Sequence, residues 1–213
     1  MTPVRIIGQV LMRKFSSILG CALLLILTAC SEAPEPAEKR EPPKPAEPIS
    51  GQVALYRMYQ LIRSWAPDAQ VLKMNSIHLL EVPSVPGLAG AWEATFASAS
   101  KGRARSCTYS VVESPGNLHQ GVFEGQEEDL NARAQPFLIG AVKVDTDAAY
   151  KTALGKASDY DRKNPHMTIS MLLEKNSKFP NPAWRMIWGE SLGTSGLSVL
   201  IDASTGEYLE TLH

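Results

Sequence analysis

The sequence predicts an α+β fold in which two tandem units, each a helix followed by an antiparallel sheet, come after an export signal and a disordered linker. Two amphipathic helical segments each precede a series of short segments in which apolar and polar residues alternate. Similar segments recur 90 to 94 residues apart, as in Ala54-Leu55-Tyr56 and Ala148-Ala149-Tyr150. We therefore expect a first unit over residues 51–135 and a second over residues 136–213.

An export signal is predicted over residues 1–29. The basic pair Arg13-Lys14 precedes an apolar run from Phe15 to Leu27. That run is shorter than the roughly 20 apolar residues that a helix needs to cross a bilayer, so it is typical of a signal peptide. Met12 is an alternative start, because the residues that follow it make a complete signal by themselves.

Cys30 is the predicted lipidation site. It ends the sequence Leu27-Thr28-Ala29-Cys30, which resembles the lipobox of bacterial lipoproteins. The resemblance implies cleavage before Cys30, a lipid anchor (palmitate included) on that residue, and a location in the cell envelope facing the periplasm. Ser31 stands where an aspartate tends to retain such proteins in the inner membrane, so the outer membrane is expected. A secretory signal without lipidation is the alternative.

A tether is predicted over residues 30–50. From Ser31 to Ser50 the chain holds six Pro, five Glu and no aromatic residue. Such a segment cannot bury enough apolar area to offset the entropy of ordering it. In a polyproline conformation of about 3.1 Å per residue it reaches roughly 60 Å. A spacer is favoured over a peptide ligand for an aromatic-lined groove.

Charge and cysteine content narrow the possible partners and bonds. Three of the 21 basic residues and none of the 22 acidic residues lie in the signal, which leaves a net charge of −4 after cleavage. No basic face suggests nucleic acid. With Cys21 in the signal and Cys30 acylated, Cys107 is the remaining thiol, so a disulfide within the chain is excluded.

The first unit begins with a helix that Ser50 caps and that ends at Trp65, followed by several short strands. The helix has one apolar stripe, formed by Ala54, Leu55, Met58, Leu61, Ile62 and Trp65. The other predicted elements are a mixed strand in Val71–Val82, strands at Trp92–Phe96, Cys107–Val111 and Leu118–Phe123, and a loop or frayed helix over Gly125–Ala134. The acidic run Glu124–Asp129 is interpreted as a solvated loop.

The second unit begins at Asp145-Thr146-Asp147, a predicted cap for a second, shorter helix that ends near Ala157. Asp159–Pro165 is expected to be a polar connector. The predicted strands are Met167–Leu173, Trp184–Trp188, Leu197–Ile201 and Tyr208–Leu212. Between the last two strands, Ala203–Gly206 is expected to form a turn in which Asp202 accepts hydrogen bonds and Gly206 has a positive φ.

The end of the second unit resembles a known family. Pro182–Gly189 and Ser198–Leu209 resemble the C-terminal hairpin of PepSY-like domains, whose final turn reads Asp-Ala-x-Thr-Gly-Glu, as Asp202–Glu207 does. The resemblance covers residues 145–213 well and 50–124 poorly, and Glu113–Gly116 departs from the turn motif. It implies an extracytoplasmic, non-catalytic module, in some cases linked to the restraint of peptidases, and it implies no site residue.

Candidate chemical sites have simpler structural interpretations. Gly189-Glu190-Ser191-Leu192-Gly193 matches the G-x-S-x-G pattern, with Asp202 and His213 after it, but alternating strands on both sides indicate a hairpin turn rather than a nucleophile elbow. Cys107 is expected to act as a small apolar residue, although Arg103 and Arg105 on its strand face leave a reactive thiol open. The tryptophans Trp92, Trp184 and Trp188 are expected in the core rather than on a ligand-binding face.

No cofactor or metal is predicted. His78, His119, His166 and His213 show no paired spacing, although scattered histidines can still converge in space. We expect a non-enzymatic, lipid-anchored envelope protein that binds the membrane through Cys30 and holds an unidentified envelope protein. The alternative is a carrier or sensor with a small-ligand pocket between the two units, which a deep apolar cavity there would favour.

Overall fold

One antiparallel sheet of eight strands organises the chain. The computed structural model describes residues 45–213, so the signal, Cys30 and most of the tether lie outside the described residues. The described elements are, in order, β1 (Ile49–Ser50), α1 (Gly51–Trp65), β2 (Gln70–Ile77), β3 (Leu88–Ala89), β4 (Ala91–Ser98), β5 (Arg103–Ser110), β6 (Gly121–Asp129), a 3₁₀ turn (Ile139–Ala141), α2 (Thr146–Lys163), β7 (Ile169–Glu174), β8 (Ala183–Trp188), β9 (Leu197–Asp202) and β10 (Tyr208–Leu212).

The strand order in the sheet is β10-β9-β8-β7-β2-β4-β5-β6, and β1 and β3 form a separate two-stranded pair. We call α1 with β2 to β6 the first half and α2 with β7 to β10 the second half. Helix α1 packs on β4, β5 and β6, and α2 packs on β8, β9 and β10. The halves join where β2 and β7 pair antiparallel, with Met74 opposite Leu173. The predicted α+β class, with two helix-plus-antiparallel-sheet units, is confirmed.

The pairing register shows how the halves correspond. Trp92 lies opposite Tyr109 on β5, and Trp184 lies opposite Ile201 on β9. Tyr109 therefore corresponds to Ile201. Sequence spacing instead matches Tyr109 with Val199, which is two residues earlier. The repeat is present, and its strand alignment from sequence alone was wrong.

A single carboxylate, that of Asp145, caps both helices. Its Oδ1 accepts from the backbone N–H of Thr146 at 2.7 Å in α2 and from that of Gln52 at 2.9 Å in α1. Asp145 is thus the N-cap of α2, as predicted. Ser50 does not cap its own helix, because its hydroxyl donates to Asp145 Oδ2 at 2.6 Å. Helix N-termini carry unsatisfied N–H groups and partial positive charge, so one anion stabilises two of them.

The junction between the halves is filled with side chains. The rings of Trp92 and Trp184 meet edge to face with centroids 6.4 Å apart. Their indole N–H groups donate to the carbonyl oxygens of Ile49 and Val144, which precede the two helices. A Cβ on Gly51 would lie 2.7 Å from both Thr146 and Trp184, so only glycine fits there. Among the described residues, the junction around Gly51 is thus closely packed, where the carrier alternative requires a pocket.

Several element boundaries differ from the sequence prediction: β2 ends at Ile77 rather than Val82, and β6 begins at Gly121 rather than Leu118. The acidic run belongs to edge strand β6 rather than to a loop, because cross-strand arginines neutralise its charge: Arg105 pairs with Glu124 and Glu127, and Arg103 with Asp129. Helix α2 is longer than α1, not shorter. Its last turn, predicted as a connector, is held by the indole N–H of Trp188, which donates to Asp161 at 2.9 Å.

The core lies between the sheet and the two helices. The three strand tryptophans, Trp92, Trp184 and Trp188, are fully buried there, which confirms their assignment to the core. Leu61 is an exception to the predicted apolar stripe of α1, since it lies at the rim and is 36% exposed. Within the described residues, no helix is long and apolar enough to cross a membrane.

Candidate interaction surface

Both helices pack on the same face of the sheet, and in the described part of the chain no helix covers the opposite face. On β4, Trp92, Ala94 and Phe96 point towards the helices and are buried in the core. Because side chains alternate along a strand, Glu93 and Thr95 point to the opposite face. We call this second face the open face.

A polar cleft of about 260 Å³ lies on the open face of the first half. It is lined by Lys73 of β2, Glu93 and Thr95 of β4, Ser106 of β5, and Gln126, Glu127 and Glu128 of β6. The register explains this grouping, since Thr95 lies directly between Lys73 and Ser106 on its neighbouring strands. We call it the Thr95 cleft.

The charge of the Thr95 cleft comes mainly from Glu93 and Glu128. Glu127 is engaged elsewhere: it accepts from the indole N–H of Trp65 at 2.7 Å and pairs with Arg105. The Trp65 hydrogen bond, followed by the Arg105 hydrogen bond and the charges of Arg105 and Arg103, keeps the pKa of Glu127 below its usual value. The other lining side chains make no hydrogen bond or ion pair with the described protein.

A second cavity, of about 410 Å³, lies beside the end of α1 and is lined by Gln60, Arg63, Ser64 and Pro67. It is an open groove of solvated side chains. Since it encloses no buried polar group, it offers a ligand less than the Thr95 cleft does.

Cys107 is a buried thiol under α1. Burial, with a smaller contribution from the Glu124 carboxylate, raises its pKa to about 12. Arg103 and Arg105, the residues that left a reactive thiolate open, are both paired with carboxylates of β6. Cys107 is therefore a small apolar core residue, as expected, and the thiolate that reactivity needs is scarce at neutral pH.

The G-x-S-x-G sequence lies apart from Asp202, while His213 follows Leu212, which pairs with Ser198 near the loop. Gly189–Gly193 lies in the loop that joins β8 to β9, and the Ser191 hydroxyl is 3.1 Å from the Thr194 hydroxyl. Asp202 lies at the other end of β9 from this loop. A nucleophile elbow needs a strand–turn–helix setting, whereas this loop leads into another strand.

The histidines lie apart, and the described residues contain no group of three His, Cys, Asp or Glu side chains placed to hold a metal ion. His78 has a structural contact that the sequence did not predict. Its Nδ1 lies 3.1 Å from the Ser84 hydroxyl, and its Nε2 lies 2.8 Å from the Ser170 hydroxyl. Since the Ser170 proton is donated to the carbonyl oxygen of Gly189 at 2.7 Å, Ser170 acts as a bridge rather than as an activated nucleophile.

The final hairpin turn has the expected geometry. Asp202 Oδ1 accepts from the backbone N–H groups of Ser204 at 2.7 Å and Thr205 at 3.0 Å, and Gly206 has a φ of +80°. Strand β10 then pairs with β9, with Tyr208 opposite Ile201. Asp202 and Thr205 are thus turn residues.

Comparison with known proteins adds little. No family model matches the chain, so the PepSY resemblance is not confirmed, and no curated protein matches it. A crystal structure from Clostridium difficile 630, described as a candidate lipoprotein, is similar at a TM-score of 0.49 and 10% sequence identity. The match covers 75% of this chain and 91% of that one.

Proposed function

We propose that this chain is a non-catalytic, lipid-anchored protein of the bacterial cell envelope that holds a protein partner on the open face of its sheet. The anchor is Cys30, and the proline-rich tether lets the folded part reach the partner. The periplasmic side of the outer membrane is the proposed location. The PepSY resemblance makes a peptidase one candidate class of partner.

The observation that carries the proposal is the sheet face on which neither described helix packs. An eight-stranded antiparallel sheet normally has one face packed on the core, and its second face is free to be solvated or to bind. Here that face bears a cleft with unused polar groups, while the junction between the halves is filled. These features suit protein recognition by a broad surface better than enclosure of a small ligand.

Site-directed photo-cross-linking in cells tests the proposal. A photoreactive residue is placed in the full-length chain at Asn75 or Thr108, both on the open face, and at Lys151 or Gln60 on the exposed sides of the helices as matched controls. We expect one discrete adduct from the open-face positions and none from the controls. Absence of an adduct at the open face, or an equal adduct from the helix positions, would contradict the proposal.

A further inference from the structure

Thr95 places a largely buried side chain with a solvent-accessible hydroxyl in the Thr95 cleft. Thr95 is only 7% exposed, although it lies on the face without helices. Its hydroxyl makes no hydrogen bond with the described protein, and it lines the cleft. Because the rest of the side chain is packed, the hydroxyl is held at the cleft, where a ligand atom can replace water as its hydrogen-bond partner.

The charges around Thr95 favour a cation. Glu93 is two residues away on the same strand face, and Glu128 lies on the same face of β6. Lys73 also lines the cleft and carries the opposing charge, so Glu93 and Glu128 together leave one negative charge in excess. Carboxylates, hydroxyls and the Gln126 amide oxygen are hydrogen-bond acceptors, and a planar guanidinium group has five donors to satisfy them.

On the same face of the second half, a guanidinium group of the chain itself lies at the equivalent position. By the register that aligns Trp92 with Trp184, Thr95 corresponds to Ile187, Ser106 to Ser198 and Glu93 to Arg185. There, Arg185 Nε donates to the Ser198 hydroxyl oxygen at 2.9 Å. The equivalent serine of the first half, Ser106, has no such partner in the described chain, and a carboxylate replaces the arginine.

From these three observations we propose that the Thr95 cleft receives the guanidinium group of an arginine side chain from the partner protein. Glu93 and Glu128 bind its charge, and the hydroxyls of Thr95 and Ser106 accept its N–H groups. The inference rests on the proposed function for the identity of the partner as a protein. The cleft itself can be tested without that partner.

The test is a titration of the detergent-solubilised full chain with N-acetyl-arginine methylamide, followed by amide chemical shifts in NMR spectra. The neutral isostere N-acetyl-citrulline methylamide is the matched ligand control. A single exposed side chain binds weakly, so we expect a dissociation constant on the order of 1 mM. The largest shifts should fall on β4, β5 and β6 around Thr95, and citrulline should bind at least roughly 5-fold more weakly, because it lacks the charge.

Variants then locate the binding. Glu93→Gln and Thr95→Val should each weaken arginine binding by roughly 5- to 10-fold, since each removes one partner of a charged donor. Thr95→Ser keeps the hydroxyl and should bind like the natural chain, which separates loss of the group from a change in packing. Asp159→Asn on α2 is the matched surface control and should have no effect.

Two results would overturn the inference: no shift in the cleft at millimolar arginine ligand, or equal binding by Thr95→Val and by citrulline. The outcome is separable from that of the cross-linking experiment. A partner that cross-links to the open face equally well in Thr95→Val leaves the proposed function standing and removes the arginine site. Binding of the arginine ligand without any cross-linked partner leaves the arginine site standing and removes the proposed function.

Discussion

Replacing Asp145 by alanine should destabilise the whole fold more than its half-exposed position suggests. The carboxylate accepts three hydrogen bonds, from the Ser50 hydroxyl and from the backbone N–H groups of Gln52 and Thr146. Loss of one helix cap costs roughly 1 kcal/mol, and here two helices lose theirs together. With the Ser50 hydroxyl also unpaired, we expect a loss of about 2–4 kcal/mol in the free energy of unfolding. That is a large part of the roughly 5–15 kcal/mol typical of a domain.

Two variants separate the shared cap from a general effect of removing charge. Asp147→Ala lies in the first turn of the same helix, where its carboxylate pairs with Lys151 at 3.6 Å in solvent, and should cost roughly 0.5 kcal/mol or less. Asp145→Asn keeps an oxygen acceptor but loses the negative charge between two helix N-termini, so an intermediate loss of about 1 kcal/mol is expected.

Urea unfolding followed by tryptophan fluorescence measures these losses, since Trp92 and Trp184 lie beside the cap. The slope of the transition should be unchanged if the variants alter stability alone. A loss for Asp145→Ala within about 0.5 kcal/mol of that for Asp147→Ala would refute the reasoning, because surface substitutions commonly have effects of that size.

Three further predictions follow from single residues. Gly206→Val should lower the free energy of unfolding by about 1–3 kcal/mol, because a branched side chain is strained at a φ of +80°, although the nearest atom of Val144 leaves room at 3.5 Å. Gly155→Val in α2 should be nearly neutral. Equal melting of the two variants would contradict the turn assignment. Cys107, with a pKa raised to about 12, should resist iodoacetamide at pH 8 until the chain unfolds, so rapid labelling of the folded protein would disprove its burial. Cys30→Ala should abolish incorporation of labelled palmitate and membrane partition, and unchanged values of both would rule out the anchor.

Elements with local signals were predictable from the sequence. The alternation in Trp184–Trp188 and Leu197–Ile201 placed β8 and β9 within a residue of their bounds, because apolar residues at every second position mark a strand. The sequence did not show that β9 is buried on both faces. The turn before β10 was predictable for a similar reason, since Asp202 and Gly206 each meet a requirement of the turn itself.

Features that depend on long-range pairing were not predictable. The run Glu124–Asp129 has the composition of a loop, and it is a strand because Arg103 and Arg105 on β5 lie opposite it. The shared cap joins residues 93 to 95 positions apart, and nothing near Gln52 in the sequence indicates Asp145 as its acceptor. The Thr95 cleft likewise needs the register of four strands, which sequence spacing does not supply.

The two halves share one architecture but differ on the open face, and under the proposed function this difference assigns the partner to one half. In the second half, Arg185 satisfies Ser198 from within the chain, and Ile187 replaces the threonine. The Ser198 hydroxyl on that surface is therefore already hydrogen-bonded within the chain. In the first half the equivalent groups, Thr95 and Ser106, have no partner in the described chain, so the unused hydrogen-bonding capacity lies there. Because a partner gains most from polar groups that the chain itself leaves unpaired, the proposed function assigns recognition to the first half.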